Sequence, residues 1–145
     1  MISQFWKNQA QIKSLYTDCM EPVLRKYHLT RMELDILLFL ANNPLFNTAR
    51  DIIETRHLTK SHVSLAVNTL VSKGYLAKSK SEHNRKTVHL SICPSSGEII
   101  RDGQDAQKIF SSILFRDFTH EDYQQLLKLF NRINQNVEDY TKGGL

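Results

Sequence analysis

Apolar residues recur at helical intervals along most of the chain, and this pattern predicts six helices and one strand-like ribbon. The first helix is predicted over residues 4–27. The segment Thr30 to Asn42 is apolar on more than one face, so we expect it at the centre of the domain. Its start, Thr30-Arg31-Met32-Glu33, has the spacing of a capping box, in which the threonine and the acid cap each other's backbone.

Two short helices follow, joined by only a few residues. The first is predicted from Thr48 to Thr55, and the second begins at Thr59 and ends near Gly74, where a glycine commonly stops a helix. The second helix has an apolar face and an opposite face that carries Ser61, Leu65, Asn68 and Ser72. Two short helices in this arrangement predict a helix-turn-helix.

A ribbon of two strands is predicted directly after this helix. Tyr75 to Lys80 forms the first strand, and Thr87 to Ile92 alternates polar with apolar residues as a half-buried return strand does. The connection between them, residues 82–86, is too polar to be buried. A helix followed by such a ribbon indicates a unit that reads DNA, with the helix in the major groove.

Two long helices complete the pattern. One begins where Ser95 and Glu98 have capping-box spacing, and the other where Thr119 precedes Asp122 by three residues. One apolar stripe runs along the last helix: Tyr123, Leu126, Leu127, Phe130, Ile133, Val137 and Tyr140. The surface of a small domain rarely tolerates so apolar a face, so we expect the first helix and the last two to form a homodimer; the alternative is packing within one chain.

Positive charge is concentrated around the ribbon and the helix before it. Residues 56–89 contain seven basic residues and one acid, a net charge of +6, whereas the whole chain has 19 − 15 = +4 and the remainder is therefore −2. The ribbon contributes Lys78, Lys80, Arg85 and Lys86 to this total. A local basic surface of this kind favours phosphate contacts and hence double-stranded DNA as the partner.

Composition and motifs exclude several other classes of protein. At 145 residues the chain is long enough for one domain, and it has no apolar run that could cross a membrane and no signal-peptide pattern, so we expect a cytoplasmic protein. No catalytic motif is present, and the pattern predicts neither an enzyme nor a bound metal or other cofactor. Cys19 and Cys93 stand alone, and we interpret both as buried structural cysteines.

The order of these elements resembles the MarR family of winged helix-turn-helix transcription regulators over nearly the whole chain. The more specific similarities are Leu58-Thr59-Lys60-Ser61-His62-Val63-Ser64, which opens the recognition helix, and Leu70-Val71-Ser72-Lys73-Gly74-Tyr75-Leu76, which closes it. The resemblance implies a mainly α fold with a small β-wing. Residues 29–94 would form the winged helix-turn-helix, and residues 1–28 and 95–145 would form flanking dimerisation helices.

The resemblance also implies a function and a set of contact residues. Such a homodimer would bind an inverted-repeat operator, usually as a repressor, and a small-molecule effector would release it. In the major groove, bases or phosphates would meet Ser61, His62, Ser64, Asn68 and Thr69, with Lys60 and Lys73 near the DNA backbone. Arg85 resembles the wing-tip arginine that enters the minor groove. The candidates for an effector pocket are Tyr16, Tyr27, Phe39 and Phe110.

The sequence departs from the family at three places. His83 occupies the position of the usual wing aspartate, so we expect the wing tip to be held differently. Leu65 replaces a frequent arginine, which favours contact with thymine methyl groups and an operator rich in A·T. Residues 104–108 lack the histidine pair of zinc-binding relatives. The alternative function is a winged helix that docks a protein partner without specific DNA binding.

Overall fold

The structure, a computed structural model that describes residues 1–143, is mainly helical with a two-stranded antiparallel wing. The predicted fold class is confirmed. The elements are α1 (Ile2–Tyr27), α2 (Arg31–Asn42), α3 (Ala49–Arg56), α4 (Lys60–Ser72), β1 (Leu76–Lys80), β2 (Val88–Ile92), a 3-10 turn (Pro94–Ser96), α5 (Gly97–Leu114) and α6 (His120–Thr141).

Capping boxes begin three of these helices, at α2, α3 and α6. In each of them, a threonine hydroxyl accepts a hydrogen bond from the backbone three residues on, and the acid at that position accepts one from the threonine N–H. The pKa of Asp122 is lowered because the Thr119 N–H and hydroxyl both donate to its carboxylate. The boxes predicted at Thr30 and Thr119 are confirmed.

The start of α5 differs from the sequence prediction. The hydroxyl of Ser95 donates to the carbonyl of Gly74 instead of capping α5, and a 3-10 turn over Pro94–Ser96 precedes the helix. Ser96 is fully buried and donates to the carbonyl of Cys93 at 2.7 Å. The predicted Ser95–Glu98 capping box is therefore wrong. Both serine hydroxyls instead bind the chain that enters and leaves the wing.

The core is centred on α2, as its apolar sequence predicts. Leu34 and Leu37 of this helix have no exposed surface, and α1 adds Met20 to the same cluster. Apolar residues of α4 and α5 complete it, notably Val63, Leu70, Ile99 and Ala106. The helix-turn-helix and the second half of α1 consequently share one core, so the recognition helix is fixed relative to α1 and α2.

The wing is a regular antiparallel ribbon joined to the start of α3. Leu76 pairs with Ile92 and Lys80 with Val88. At the middle of β2, the backbone N–H of Leu90 donates to the carbonyl of Asn47 at 2.7 Å, and Thr48 forms a single bridge with His89. Because Thr48 also caps α3, the position of the wing depends directly on the first helix of the helix-turn-helix.

The described chain forms two compact units by its internal contacts, Met1–Ser111 and a second unit that begins at Ser112. In the second unit, Phe115, Phe118 and Tyr123 form an aromatic cluster with ring centroids 4.7–6.0 Å apart. Helix α6 has 22 residues, and none of them is buried. Between residues 1 and 143, no helix has the length and hydropathy that crossing a membrane requires.

Candidate nucleic-acid interface

The outward face of α4 is polar and accessible, while its inward face is packed. Val63, Val67 and Leu70 are buried against α2, whereas the side chains on the other side point into solvent. The exposed residues are Lys60, Ser61, His62, Ser64, Leu65, Asn68 and Ser72. The structure therefore brings most of the predicted recognition residues onto one face. Leu65, 68% exposed at the middle of this face, is the apolar exception.

The first turn of α4 differs from the capped starts of α2, α3 and α6. Thr59 occupies the N-cap position, but its side chain makes no capping hydrogen bond. His62 stands where the other helices have their capping acid, and the first turn of α4 contains no acid. The free backbone N–H groups, the positive end of the helix dipole and Lys60 together favour a negatively charged group at this point.

Lys73, predicted to lie near the DNA backbone, is held by the protein itself. Its ammonium donates to Glu33 Oε2 and to the carbonyl of His28, each at 3.2 Å. The Glu33 side chain is only 6% exposed, so the lysine neutralises a nearly buried carboxylate that also caps α2. The end of the recognition helix is thereby tied to the α1–α2 corner.

This contact predicts a stability effect for Lys73→Met. The methionine keeps the aliphatic stem but leaves the Glu33 carboxylate without its cation, and we expect the free energy of unfolding to fall by about 1–2 kcal/mol. Chemical denaturation at neutral pH measures the change. Lys80→Met, on an exposed strand, is the matched control and should leave stability unchanged. Equal stability of the two variants would show that the Lys73–Glu33 pair contributes nothing.

Two further predicted contact residues on α4 have protein partners. The hydroxyl of Thr69 donates to the carbonyl of Leu65 at 3.0 Å, and the residue is only partly exposed. Asn68 accepts a hydrogen bond from the ammonium of Lys78, which reaches across from β1. The wing strand and the recognition helix are therefore joined by their side chains as well as by the Gly74 turn, where φ is +78°.

Asn84 organises the wing tip, a role that the sequence analysis missed. Its carbonyl accepts from the N–H of Thr87 at 3.2 Å, and its side-chain oxygen accepts from the N–H of Lys86 at 3.1 Å. This combination of a tight turn and an Asx turn presents Arg85 and Lys86 at the exposed apex. An asparagine just before two basic residues in a polar loop was the available signal.

The other basic residues of the segment differ in whether a protein group already binds them. Lys80 is exposed on β1, on the same side of the strand as Lys78 by the two-residue period. Arg56, which closes α3, lies 3.6 Å from Asp35, and Arg31 also donates to that carboxylate, at 2.9 Å. Of the predicted cations, Lys60, Lys80, Arg85 and Lys86 are exposed and have no side-chain partner within residues 1–143, so they are available for phosphates.

The four aromatic residues predicted for an effector pocket do not form one site. Tyr16 and Phe110 pack edge to face, with ring centroids 5.0 Å apart, and the Tyr16 hydroxyl accepts from a glutamine of α5. Phe39 lies in the core at 7% exposure. Tyr27 donates to Asp102 at 2.7 Å. Structural contacts therefore occupy all four side chains, and their role in binding an effector stays a prediction.

A groove of about 260 Å³ runs between α1 and α5, where Cys19, Lys26 and Asp102 are among the lining residues. Hydrogen bonds from Lys26 and Tyr27 lower the pKa of Asp102, and the pKa of Lys26 is raised by the same contact.

Within residues 1–143, no cluster of three or more histidine, cysteine or acidic side chains could hold a metal ion.

Both cysteines are free and partly exposed, so the prediction that they are buried is wrong. Cys19 lies at the edge of the α1–α5 groove. Cys93 is at the exit from the wing, where its backbone N–H donates to the carbonyl of Tyr75 at 3.0 Å. Both positions are at the margins of packed elements, which leaves part of each side chain accessible.

Comparisons with known proteins agree with this architecture. Residues 27–87 match the model of the MarR family. A MarR protein from Peptoclostridium difficile has 18% sequence identity and a TM-score of 0.80, over 97% of this chain and 91% of its own. The Staphylococcus aureus MepR–DNA complex has 12% identity and a TM-score of 0.77, and the match covers 94% of this chain and 96% of that one. None of the curated proteins that were compared matches the sequence.

A third structure, S. aureus MarR in complex with salicylate and kanamycin, has 21% identity and a TM-score of 0.72, and the match covers 96% of this chain and 94% of that one. The fold and the exposed face of α4 define a winged helix-turn-helix protein. The match of residues 27–87 to the MarR family model, together with the MarR structures of the same fold, supports a MarR-family regulator.

Proposed function

We propose that the protein is a homodimeric repressor that binds an inverted-repeat operator in double-stranded DNA. The observation that carries the proposal is the accessible α4 face, whose uncapped first turn lies on the same basic segment as the wing with Arg85 at its tip. Phosphates favour the N-terminus of a helix and its lysine, while short polar side chains can reach base edges in the major groove.

The proposed contacts divide into two groups. Ser61, His62, Ser64 and Asn68 would face bases or phosphates in the major groove. Lys60, Lys80 and Lys86 would neutralise phosphates, and Arg85 would enter the minor groove, where the negative potential attracts a guanidinium. Lys73, Lys78 and Thr69 would act mainly through their protein partners, Glu33, Asn68 and the Leu65 carbonyl. The MepR–DNA complex, which has the same fold, supports DNA as the partner.

The dimer is proposed from the surface of α6 and the first half of α1. All residues of the stripe on α6 except Leu126 are exposed, with Phe130 at 50% and Val137 at 58%, and Trp6 near the start of α1 is 61% exposed. Apolar faces of this extent mark an interface between chains. A two-fold dimer would place its two α4 helices on half-sites about one helical turn, roughly 10 bp, apart.

A small-molecule effector is part of the proposal, with the region around Tyr16 and Phe110 as its first candidate. The S. aureus MarR structure was obtained with salicylate and kanamycin, which supports a ligand site on this fold. The structure favours no ligand chemistry, because the aromatic side chains concerned are already in contact with protein groups.

Selection of bound duplexes from a random DNA pool tests the function, with Arg85→Ala run in parallel. We expect an enriched inverted repeat, A·T base pairs opposite Leu65, and a modest loss of affinity in Arg85→Ala. The affinity for the selected site should fall steeply with salt, by about one unit of logarithmic slope for each phosphate neutralised. If the selected sites require G·C base pairs opposite Leu65, only the predicted preference for A·T is wrong, and the proposed DNA binding still stands.

The second candidate function is a winged helix that docks a protein partner. The exposed apolar pair Leu45 and Phe46, at 90% and 51% exposure in the loop between α2 and α3, favours it. No enrichment of any duplex by a folded dimer, together with a flat salt response of any residual binding, would support this function over DNA binding.

A further inference from the structure

We infer that Lys78, on the wing strand, is a positioning residue that turns the Asn68 amide so that its N–H groups face the DNA and thereby sets the base preference of the recognition helix. The inference rests on the proposed function, because it concerns how the same α4 face reads bases. The observation is the hydrogen bond from the Lys78 ammonium to Asn68 Oδ1.

The chemistry of the two groups fixes the orientation of the amide. A lysine ammonium has three donors and no acceptor, so only the oxygen of the asparagine can face it. The ordinary ambiguity between the two ends of an asparagine amide is therefore removed by its partner. With Oδ1 directed to β1, the Nδ2 group is presented on the exposed side of α4, and it has no protein partner within residues 1–143.

The neighbouring side chains leave this amide as the principal donor at its level of the helix. Thr69 donates its hydroxyl to the carbonyl of Leu65, and Ser72 donates to the carbonyl of Thr69 at 2.9 Å. Both hydroxyl protons are therefore used within α4. One turn toward the N-terminus, Leu65 has no polar group to contribute, and Ser64 offers only a short hydroxyl side chain.

An outward Nδ2 group discriminates among base edges in the major groove. It can donate to N7 or O6 of guanine, to N7 of adenine or to O4 of thymine, whereas the amino group that cytosine presents there would repel it. Without Lys78, the amide can rotate and offer either its donors or its acceptor. The wing strand would thus control sequence preference at a base pair that it does not touch.

Lys78 could act by neutralising a phosphate or by positioning Asn68, and a comparison with Lys80 distinguishes these two roles. Lys80 is on the same strand two residues on, so it faces the same side, carries the same charge and is exposed. A lysine that only neutralises phosphate affects all DNA sequences equally, whereas a lysine that positions Asn68 changes the preference at one position.

The test measures base preference in selected duplexes for the full-length wild type, Lys78→Met, Lys78→Arg and Lys80→Met. We expect Lys78→Met to lose about tenfold of discrimination against cytosine at one symmetric pair of positions in the operator. Lys78→Arg, which keeps charge and donors, should retain it. Lys80→Met should weaken every sequence alike and reduce the salt slope by about one.

Asn68→Ala completes the design, because the amide and its positioning residue should act as one unit. The preference of Asn68→Ala/Lys78→Met should equal that of Asn68→Ala alone. Identical preferences for Lys78→Met and Lys80→Met would overturn the inference while the enriched operator still supported the proposed function. No enriched operator for the wild type would overturn both, since positioning for base reading requires that bases are read.

Discussion

Phe130→Glu is expected to convert the dimer into a folded monomer and to weaken binding to the full operator by about 100-fold or more. Phe130 lies in the centre of the exposed α6 stripe, so a carboxylate there would be desolvated in the proposed interface without a partner. Loss of the dimer removes the second half-site from each binding event, and linked sites commonly gain two to four orders of magnitude in affinity, about 10²–10⁴. Light scattering and operator titration measure both effects.

Gln124→Glu is the matched control for Phe130→Glu. It makes the same change in charge on the same helix but away from the apolar stripe, where Lys128 one turn later can balance it. This variant should remain dimeric with unchanged operator affinity. Because no residue of α6 is buried within the chain, Phe130→Glu should keep its helix content. A dimeric Phe130→Glu protein would place the interface elsewhere.

Gly103→Val is expected to lower the free energy of unfolding by about 3 kcal/mol. A Cβ atom at Gly103 would lie 2.8 Å from Cδ2 of Leu38, and Leu38 is only 2% exposed, so it has little space to move. The glycine in the middle of α5 therefore allows α5 to pack closely against Leu38 of α2. Its low helix propensity, a cost of about 1 kcal/mol, is offset by this packing.

Gly97→Val is the control in the same helix, since a Cβ at Gly97 meets nothing within 4 Å. Denaturant unfolding should show little change for it. Leu38→Ala should relieve part of the Gly103→Val defect, so that the double variant is less unstable than the sum of the single changes by about 1–2 kcal/mol. Wild-type stability of Gly103→Val would mean that α2 and α5 separate at no cost.

The sequence alone predicted the order and most boundaries of the elements, because helical periodicity and threonine caps are local signals. The Thr30–Glu33 pattern was read correctly, but the similar Ser95–Glu98 pattern was not. The difference is tertiary: Ser95 finds the carbonyl of Gly74, which is distant in sequence and available only once the wing has folded. Spacing cannot distinguish a cap from a serine that binds another segment.

In the candidate site, too, the sequence alone predicted some features and only the tertiary structure decided the others. Periodicity alone placed Asn68 on the outer face of α4 and basic residues on the wing, since both follow from residue type and helical or strand period. Only the tertiary structure decided that Lys73 neutralises the nearly buried Glu33 and that Lys78 orients Asn68. The sequence does not show which acceptor a lysine will bind, because that depends on which group the fold brings within reach of its long side chain.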